Sequence, residues 1–188
     1  MKKPLIIACG LSGSGKTFNA SHIASALDDY VHVHAEKVRE ELGIVSYSRK
    51  DTPAVLARMV KKIEEFNEED KGVIIDANLK TNDTRQIFYD VAKHHGLPAV
   101  VIEFICDSEK AKKRIAERSG EDGHPIDPTV YDRQKKFWQD LSLDFSDNDN
   151  SHISWVRFDT GTNKGEIIVM GNYPQEIVED IIKILEMK

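Results

Sequence analysis

Residues 5–17 read LIIACGLSGSGKT, and this stretch decides the fold. The apolar run from Leu5 to Cys9 predicts a buried strand. Residues 10–17 match G-x-x-x-x-G-K-[ST] in full, and a helical pattern begins near Lys16. In such a loop, glycines let backbone N–H groups turn inward and the helix directs its positive end at an anion. We therefore predict a phosphate-binding loop here; the alternative is a glycine-rich turn with a chance lysine.

The residues of this loop have distinct expected tasks. Lys16 supplies a point charge at the transferring phosphoryl group, and the Thr17 hydroxyl is a magnesium ligand. The remaining positions of the predicted ATP site are Gly10, Leu11, Ser12, Gly13, Ser14 and Gly15. Asp76 ends a second apolar run, where proteins with this loop hold magnesium directly or through water. A carboxylate that only caps a turn is the alternative for Asp76.

Short β-branched runs alternate with helical patterns along the chain, which predicts βαβ units around a parallel sheet. The strands are expected over residues 5–9, 30–34, 72–76, 99–106 and 153–158. The helices are expected over residues 16–27, 36–42, 53–67, 83–95, 108–118, 127–141 and 174–187. Residues 166–170 are a candidate extra strand. The predicted fold class is α/β, a three-layer αβα P-loop NTPase with a five-stranded, mainly parallel sheet, similar to nucleoside kinases.

Composition is consistent with one globular domain over residues 1–188. Apolar residues make up 40% and charged residues 31% of the 188. Cys9 and Cys106 lie in apolar runs, which favours reduced thiols over a disulfide framework, and no metal cluster is expected. The N-terminal apolar run is too short for a signal peptide or a membrane span, so we expect a cytoplasmic protein without a membrane partner. The formal charge of -6 argues against a broad nucleic-acid surface but allows a local basic cleft.

Two further pairs of residues have helical spacing. Glu36 and Arg39 are three apart, so they share a helix face beside the crevice where neighbouring strands end. They are candidates for an acceptor site or an ordinary surface ion pair. Arg114 and Arg118 are four apart and point together, which suits a clamp on phosphates or a solvated basic face.

Four motifs in this order carry a family resemblance. They are GLSGSGKT, the acid-x-x-Arg step at Glu36 and Arg39, VIIDAN at residues 73–78 with Arg85 after it, and RIAER at residues 114–118. Over roughly residues 4 to 141 the chain resembles the small P-loop kinases that include the 5'-kinase domain of polynucleotide kinases and the zeta toxins. The resemblance implies an AAA-type ATP-binding kinase domain with an acidic general base, an arginine near the acceptor and a lid with arginines, about residues 114–127.

Carried onto this chain, the resemblance makes Glu36 the base and Arg39 the group that steadies the acceptor or its phosphate. Arg114 and Arg118 would lie over the nucleotide. The chain departs from the family at Ala35-Glu36, where Ser-Asp is usual. The carboxylate therefore reaches one methylene further and its hydroxyl neighbour is missing.

Several weaker signals stay open at this point. Arg85 is a candidate for the acceptor pocket or for a surface pair with Asp83, and Asn78 is a second acceptor candidate. His32 and His34 share one strand face near the proposed pocket, where they contact the acceptor or simply pack. The run TNKGE at residues 162–166 is similar to the guanine-reading element of GTPases, but adenine is the better expectation.

The sequence leaves three functions to compare. One is a kinase for a small metabolite or nucleoside, and another is a kinase for 5'-hydroxyl ends of oligonucleotides. A nucleotide-binding switch or regulatory ATPase without a kinase acceptor is the third. An ABC-type ATPase is excluded because the chain lacks an LSGGQ signature. The expected ligands are ATP, Mg²⁺ and a hydroxyl-bearing acceptor.

Overall fold

The computed structural model describes residues 2–44, 48–118, 127–146, 150–172 and 174–187, and in these ranges six strands form one sheet. The strands are β1 (Leu5–Cys9), β2 (Tyr30–His34), β3 (Gly72–Asp76), β4 (Ala99–Ile105), β5 (Ile153–Asp159) and β6 (Lys164–Val169). Their spatial order is β2-β3-β1-β4-β5-β6. The first five run parallel, and β6 is antiparallel to β5. The strands β2 and β3 lie on one side of β1, and β4, β5 and β6 lie on the other. Connections therefore leave β1 towards both sides of the sheet, which makes the crevice at the end of β1 the expected ligand site.

Seven α-helices and two short 3-10 helices lie between and after these strands in the described ranges. The α-helices are α1 (Lys16–Ala26), α2 (Ala35–Glu41), α3 (Thr52–Glu68), α4 (Asn82–His95), α5 (Ser108–Arg118), α6 (Thr129–Lys135) and α7 (Gln175–Glu186). The 3-10 helices are Arg49–Asp51 and Leu141–Phe145. Local chemistry sets several boundaries. The Thr81 hydroxyl caps the start of α4, and Gly96 ends that helix in a left-handed conformation with φ 59°.

Helices cover both faces of the sheet and make the predicted three layers. On one face α3 and α4 bury Met59, Ile63 and Phe88 against the odd-numbered side chains of β1. On the other face α1 and α7 bury Ile23 and Ile181 against the even-numbered ones. Because the central strands are covered on both sides, they are mostly apolar, and all five residues of β1 are buried.

The strand register brings the ends of β1, β2 and β3 together. Asp76, the last residue of β3, is opposite Ala8 of β1 and His34 of β2. The loop that follows β1 and the helix that follows β2 therefore begin at the same edge of the sheet as the Asp76 carboxylate.

The α/β P-loop fold predicted from the sequence is confirmed, but the sheet has six strands instead of five. The sixth strand, β6, contains most of the candidate segment 166–170. It forms because residues 160–163 make a tight turn, with Asn163 at φ 57°, that returns the chain along β5.

The single helix predicted over residues 127–141 is wrong. The helix α6 ends at Lys135, and the Gln139 N–H donates to the Lys80 carbonyl instead of continuing the helix. Asp140 is extended, at ψ 139°, and its side chain caps the following 3-10 helix through the Ser142 N–H. A contact distant in sequence therefore overrides the local helical pattern. Within the ranges that the structure describes, no helix has the length and apolar character needed to cross a bilayer.

Candidate active site

The loop between β1 and α1 is held by close backbone contacts. Gly10 has φ 147° and Gly13 has φ 77°, conformations that side chains disfavour. A Cβ atom on Gly13 would be 2.3 Å from the Ala111 carbonyl oxygen, and one on Gly10 would be 2.4 Å from that of Phe104. The predicted phosphate loop is therefore seated against α5 and β4 in a shape that requires glycine at both positions.

Lys16 lies at the start of α1 with only 8% of its surface exposed. Its ammonium donates to the Asn78 side-chain oxygen at 3.0 Å and to the Leu11 carbonyl at 3.3 Å. Burial lowers the pKa of Lys16, and the nearby Asp76 carboxylate opposes that effect. The structure therefore joins Asn78, predicted as an acceptor residue, to the lysine of the loop. Its contact with an acceptor stays a prediction.

Asp76 is almost completely buried at the end of β3, with 1% of its surface exposed. Its Oδ2 atom lies 3.1 Å from His32 Nε2 and 3.6 Å from His34 Nε2. Burial alone would raise the pKa of Asp76, but the hydrogen bond from His32 and the charge of Lys16 outweigh it, so the pKa is lowered. The carboxyl group is therefore ionised at neutral pH.

Thr17 and Asp76 offer oxygen donors of the kind that a magnesium ion binds. Asp76 Oδ1 is buried and has no hydrogen-bond partner among the described residues, so its lone pairs are available. The Thr17 hydroxyl is close enough to contribute to lowering the pKa of Asp76. A hydroxyl and a carboxylate are the hard oxygen donors that Mg²⁺ prefers, so these residues fit the ion.

The two histidines of β2 both face Asp76, a contact that the sequence did not predict. Burial lowers the pKa of His34, so this imidazole is neutral at pH 7. His34 Nε2 is 3.5 Å from the Thr17 hydroxyl, and His32 Nδ1 is 3.1 Å from the Ser21 hydroxyl. The alternating spacing in the sequence was the only sign that these two side chains share a site.

The predicted acceptor pair lies in the first turns of α2. Glu36 Oε2 is 3.6 Å from Arg39 Nε, so the predicted shared helix face is confirmed. The side chain of Glu36 is 62% exposed, whereas that of Arg39 is 10% exposed. Glu36 therefore faces solvent at the same sheet edge as the loop, and Arg39 reaches inward beneath it. The roles of Glu36 as base and of Arg39 as acceptor ligand stay predictions.

The two arginines of α5 differ in their surroundings. Arg114 Nη1 donates to the Thr160 hydroxyl at 2.9 Å and to the Gly13 carbonyl at 3.3 Å, so it braces the loop. Arg118 is exposed at the end of α5, where its charge contributes to the lowered pKa of Lys16. Residues 119–126 of the proposed lid, including the proposed hinge glycines Gly120 and Gly123, lie outside the described residues.

Two residues that hold the phosphate loop through hydrogen bonds were not predicted from the sequence. The Gln134 side chain accepts from the Ser12 N–H and donates to the Ser12 hydroxyl, both at 2.9 Å. The Thr160 hydroxyl donates to the Ser14 carbonyl at 2.8 Å. Both come from distant parts of the chain, α6 and the β5–β6 turn, and neither lies in a motif. Only their position near the sheet edge in the folded chain reveals them.

Comparison with known families agrees with this geometry. Residues 5–140, most of the chain, match the model of the AAA domain family. The chain belongs to this AAA domain family. A search of curated proteins found no match.

Three solved structures, one of them named as a kinase, resemble this AAA domain in fold. A gluconokinase from Sinorhizobium meliloti 1021 has a TM-score of 0.58 and 18% identity, with 99% of this chain and 93% of that one covered. Chaetomium thermophilum Kti12 in complex with ADP-AlF3 has a TM-score of 0.63 and 19% identity, with 96% of both chains covered. A chain of the Pnkp1/Rnl/Hen1 RNA repair complex has a TM-score of 0.65 and 20% identity, and 77% of this chain matches 46% of it. The P-loop kinase group suggested by the motifs is confirmed at the level of the fold.

Arg85 occupies a different place in the AAA domain from either prediction. It is fully buried, and its Nη2 donates to Asp144 Oδ1 at 2.7 Å while its Nη1 donates to the Leu79 carbonyl at 3.0 Å. The surface pair with Asp83 is therefore wrong, and the guanidinium is not presented to an open acceptor pocket. Arg85 and Asp144 are 59 residues apart in the sequence, so this pairing could not be predicted from local spacing.

The run TNKGE at residues 162–166, which is similar to the guanine-reading element of GTPases, makes structural contacts in the AAA domain. The Asn163 side chain donates to the Glu186 carbonyl at 3.1 Å, and the Gly165 N–H donates to the Glu186 carboxylate at 2.9 Å. The run therefore ties the β5–β6 turn to the end of α7, and its asparagine is engaged there instead of facing a base.

Proposed function

We propose that this AAA domain protein is an ATP-dependent phosphotransferase that moves the γ-phosphate of ATP-Mg to a hydroxyl acceptor. The observation that carries the proposal is the meeting of two elements at one sheet edge. The glycine-rich loop with the buried Lys16 begins there, and so does α2 with Glu36 and Arg39. A nucleotide phosphate on the loop and a hydroxyl beside α2 would then be neighbours.

The donor side of the reaction uses the loop and its buried lysine. Backbone N–H groups of residues 10–17 would bind the phosphates, and Lys16, already fixed by Asn78, would neutralise charge on the transferring group. Thr17 and Asp76 would hold Mg²⁺, which would supply positive charge to offset the charge that develops on the phosphates. Arg118 of α5, whose charge already acts on Lys16, would approach the same phosphates.

The acceptor side uses α2. Glu36 is exposed at the edge of the crevice, so its carboxylate is accessible to an acceptor hydroxyl and can orient or deprotonate it. Arg39, largely buried beneath it, would hold the carboxylate and steady an anionic part of the acceptor. Residues 114–127 are proposed as a lid in a single kinase domain, because α5 already touches the loop through Arg114.

The acceptor is proposed as either a polynucleotide 5'-hydroxyl or a small metabolite. Similar folds include a gluconokinase and a chain of an RNA repair complex, which supports both classes equally. Binding of ADP-AlF3 by the similar Kti12 supports a nucleotide ligand. A cytoplasmic location stays a prediction.

The test is transfer of labelled γ-phosphate from ATP-Mg to a panel of 5'-hydroxyl oligonucleotides, nucleosides, sugars and amino alcohols. The wild type should label one class, and Lys16→Ala should abolish labelling. Glu36→Gln should lower kcat by roughly 10²- to 10⁴-fold. Glu40→Gln, an exposed carboxylate on the same helix, is the matched control and should keep wild-type rates.

One outcome would count against the function itself, and another against the role of Glu36 in it. Nucleotide binding without any labelled acceptor would favour a nucleotide-dependent switch. Wild-type turnover by Glu36→Gln would remove Glu36 from the role of base while leaving the kinase activity intact.

A further inference from the structure

The two histidines of β2 face the same carboxylate but differ in how their nitrogens are engaged. His32 has contacts at both ring nitrogens: Nδ1 lies 3.1 Å from the Ser21 hydroxyl and Nε2 lies 3.1 Å from Asp76 Oδ2. These are good hydrogen-bond lengths. His32 is therefore committed to orienting Asp76, in the way that an outer partner fixes a metal ligand.

His34 is placed differently. Its Nε2 lies 3.5 Å from the Thr17 hydroxyl and 3.6 Å from Asp76 Oδ2, longer than a well-formed hydrogen bond. Thr17 and Asp76 are the two side chains that fit the nucleotide's divalent cation. Nitrogen and oxygen ligands lie about 2.0 to 2.2 Å from such ions, so ligands that share one ion are roughly 3.0 to 3.5 Å apart. The distance from His34 Nε2 to the Thr17 hydroxyl is at the upper end of that spacing, and the distance to Asp76 Oδ2 is just beyond it.

We propose that His34 is a nitrogen ligand of the divalent cation that accompanies the nucleotide, and that it gives the site a preference for Mn²⁺ over Mg²⁺. Mg²⁺ favours an all-oxygen octahedron and loses water reluctantly. Mn²⁺ takes the same oxygen donors but, as a first-row transition ion, accepts one imidazole among them at a smaller cost than Mg²⁺ does. The proposal rests on the nucleotide site of the proposed function and is independent of the acceptor.

The protein side chains alone do not complete this site. Within the ranges that the structure describes, no three His, Cys, Asp or Glu side chains are grouped to hold a metal. One imidazole, one carboxylate and one hydroxyl leave coordination positions that nucleotide phosphate oxygens would fill. The ion is therefore expected to bind with the nucleotide, and weakly without it.

The direct test is pulsed electron paramagnetic resonance of Mn²⁺ bound to the full chain with ADP. An imidazole nitrogen bonded to Mn²⁺ produces a ¹⁴N modulation of the electron spin echo. The wild type should show this modulation and His34→Gln should lose it. His32→Gln, two residues away on the same strand, is the matched control and should retain it.

A second readout is the ratio of Mn²⁺ to Mg²⁺ affinities, measured by competition in the presence of ADP. His34→Gln should reduce this ratio by about tenfold, the lower end of the effect of disturbing a metal's coordination. His32→Gln should weaken both ions to a similar extent and leave the ratio unchanged. Circular dichroism melting would verify that both variants fold.

The outcomes separate this inference from the proposed function. Wild-type protein that binds ADP with Mn²⁺ but shows no ¹⁴N modulation would overturn the role of His34 and leave the nucleotide site intact. An unchanged affinity ratio in His34→Gln would do the same. If calorimetry detected no ADP binding in the presence of Mn²⁺ or of Mg²⁺, both the role of His34 and the proposed nucleotide site would be overturned.

Discussion

The ammonium group of Lys16 donates a hydrogen bond to the side-chain oxygen of Asn78 at 3.0 Å, which joins the loop after β1 to the segment after β3. A lysine ammonium has three donors. Asn78 and the Leu11 carbonyl occupy two of them in the structure. One donor remains for a phosphate oxygen, so the Asn78 contact is compatible with nucleotide binding and fixes the direction of the lysine.

Replacing Asn78 with alanine should therefore weaken nucleotide binding. Hydrogen bonds to charged groups contribute about 1.5 to 3 kcal/mol, and part of this is recovered by water, so we expect roughly a tenfold loss of ADP affinity by calorimetry. The control is a double-mutant cycle with Lys16→Ala, in which Asn78→Ala should have no further effect. Tighter ADP binding by Asn78→Ala would contradict this role and indicate that Asn78 competes with the phosphate.

The sequence was sufficient for the parts of the fold that local chemistry determines. The first three strands were predicted to the residue, because each is a short run with β-branched residues that begins directly after a proline or a charged residue. The phosphate loop was predicted for the same reason: its glycines, lysine and threonine are contiguous. The ends of α6 were not predicted, and β6 was only a candidate strand over residues 166–170, because Gln139 and Asn163 take their conformations from contacts with residues distant in the chain.

The same distinction applies to the candidate site. The spacing of Glu36 and Arg39 predicted their pairing, since it depends only on helical geometry. The contacts of Gln134 with Ser12, of Thr160 with Ser14 and of the histidines with Asp76 join separate elements. Nothing in a single sequence distinguishes Gln134 from the polar residues around it until the fold places it against the loop.

The buried pair of Arg85 and Asp144 should be important for stability. The Asp144 carboxylate also accepts from the Tyr89 hydroxyl and the Asn82 side chain, both at 2.9 Å, so it is the centre of a buried network. Arg85→Met would leave the carboxylate without its counter-charge and should lower the free energy of unfolding by about 3 to 5 kcal/mol. Urea denaturation measures this change.

Two further variants make that prediction specific. Adding Asp144→Leu to Arg85→Met removes the orphaned charge, so the double variant should be more stable than Arg85→Met alone. Asp83→Asn, at the exposed position first predicted as the partner, should change stability by less than about 1 kcal/mol. A small effect of Arg85→Met with a large loss of turnover would instead support the acceptor role.

Gln134 should couple the helix after the proposed lid to the phosphate loop. Its side-chain oxygen accepts from the Ser12 N–H and its NH₂ group donates to the Ser12 hydroxyl, so both ends of the amide are used. Gln134→Glu keeps the acceptor but loses the donor and adds a negative charge beside the loop. ADP affinity should fall by at least about tenfold in Gln134→Glu, and by less in Gln134→Ala, because only the former repels phosphate.

The informative result is which of the two variants, Gln134→Glu or Gln134→Ala, loses more ADP affinity. If Gln134 only supported packing, alanine would be the more harmful change, because it removes both hydrogen bonds and the side-chain volume. Lys135→Ala, on the exposed side of α6, controls for general loss of helix contacts and should bind ADP like the wild type. Because the repulsion is electrostatic, the defect of Gln134→Glu should also shrink as salt concentration rises, whereas that of Gln134→Ala should not.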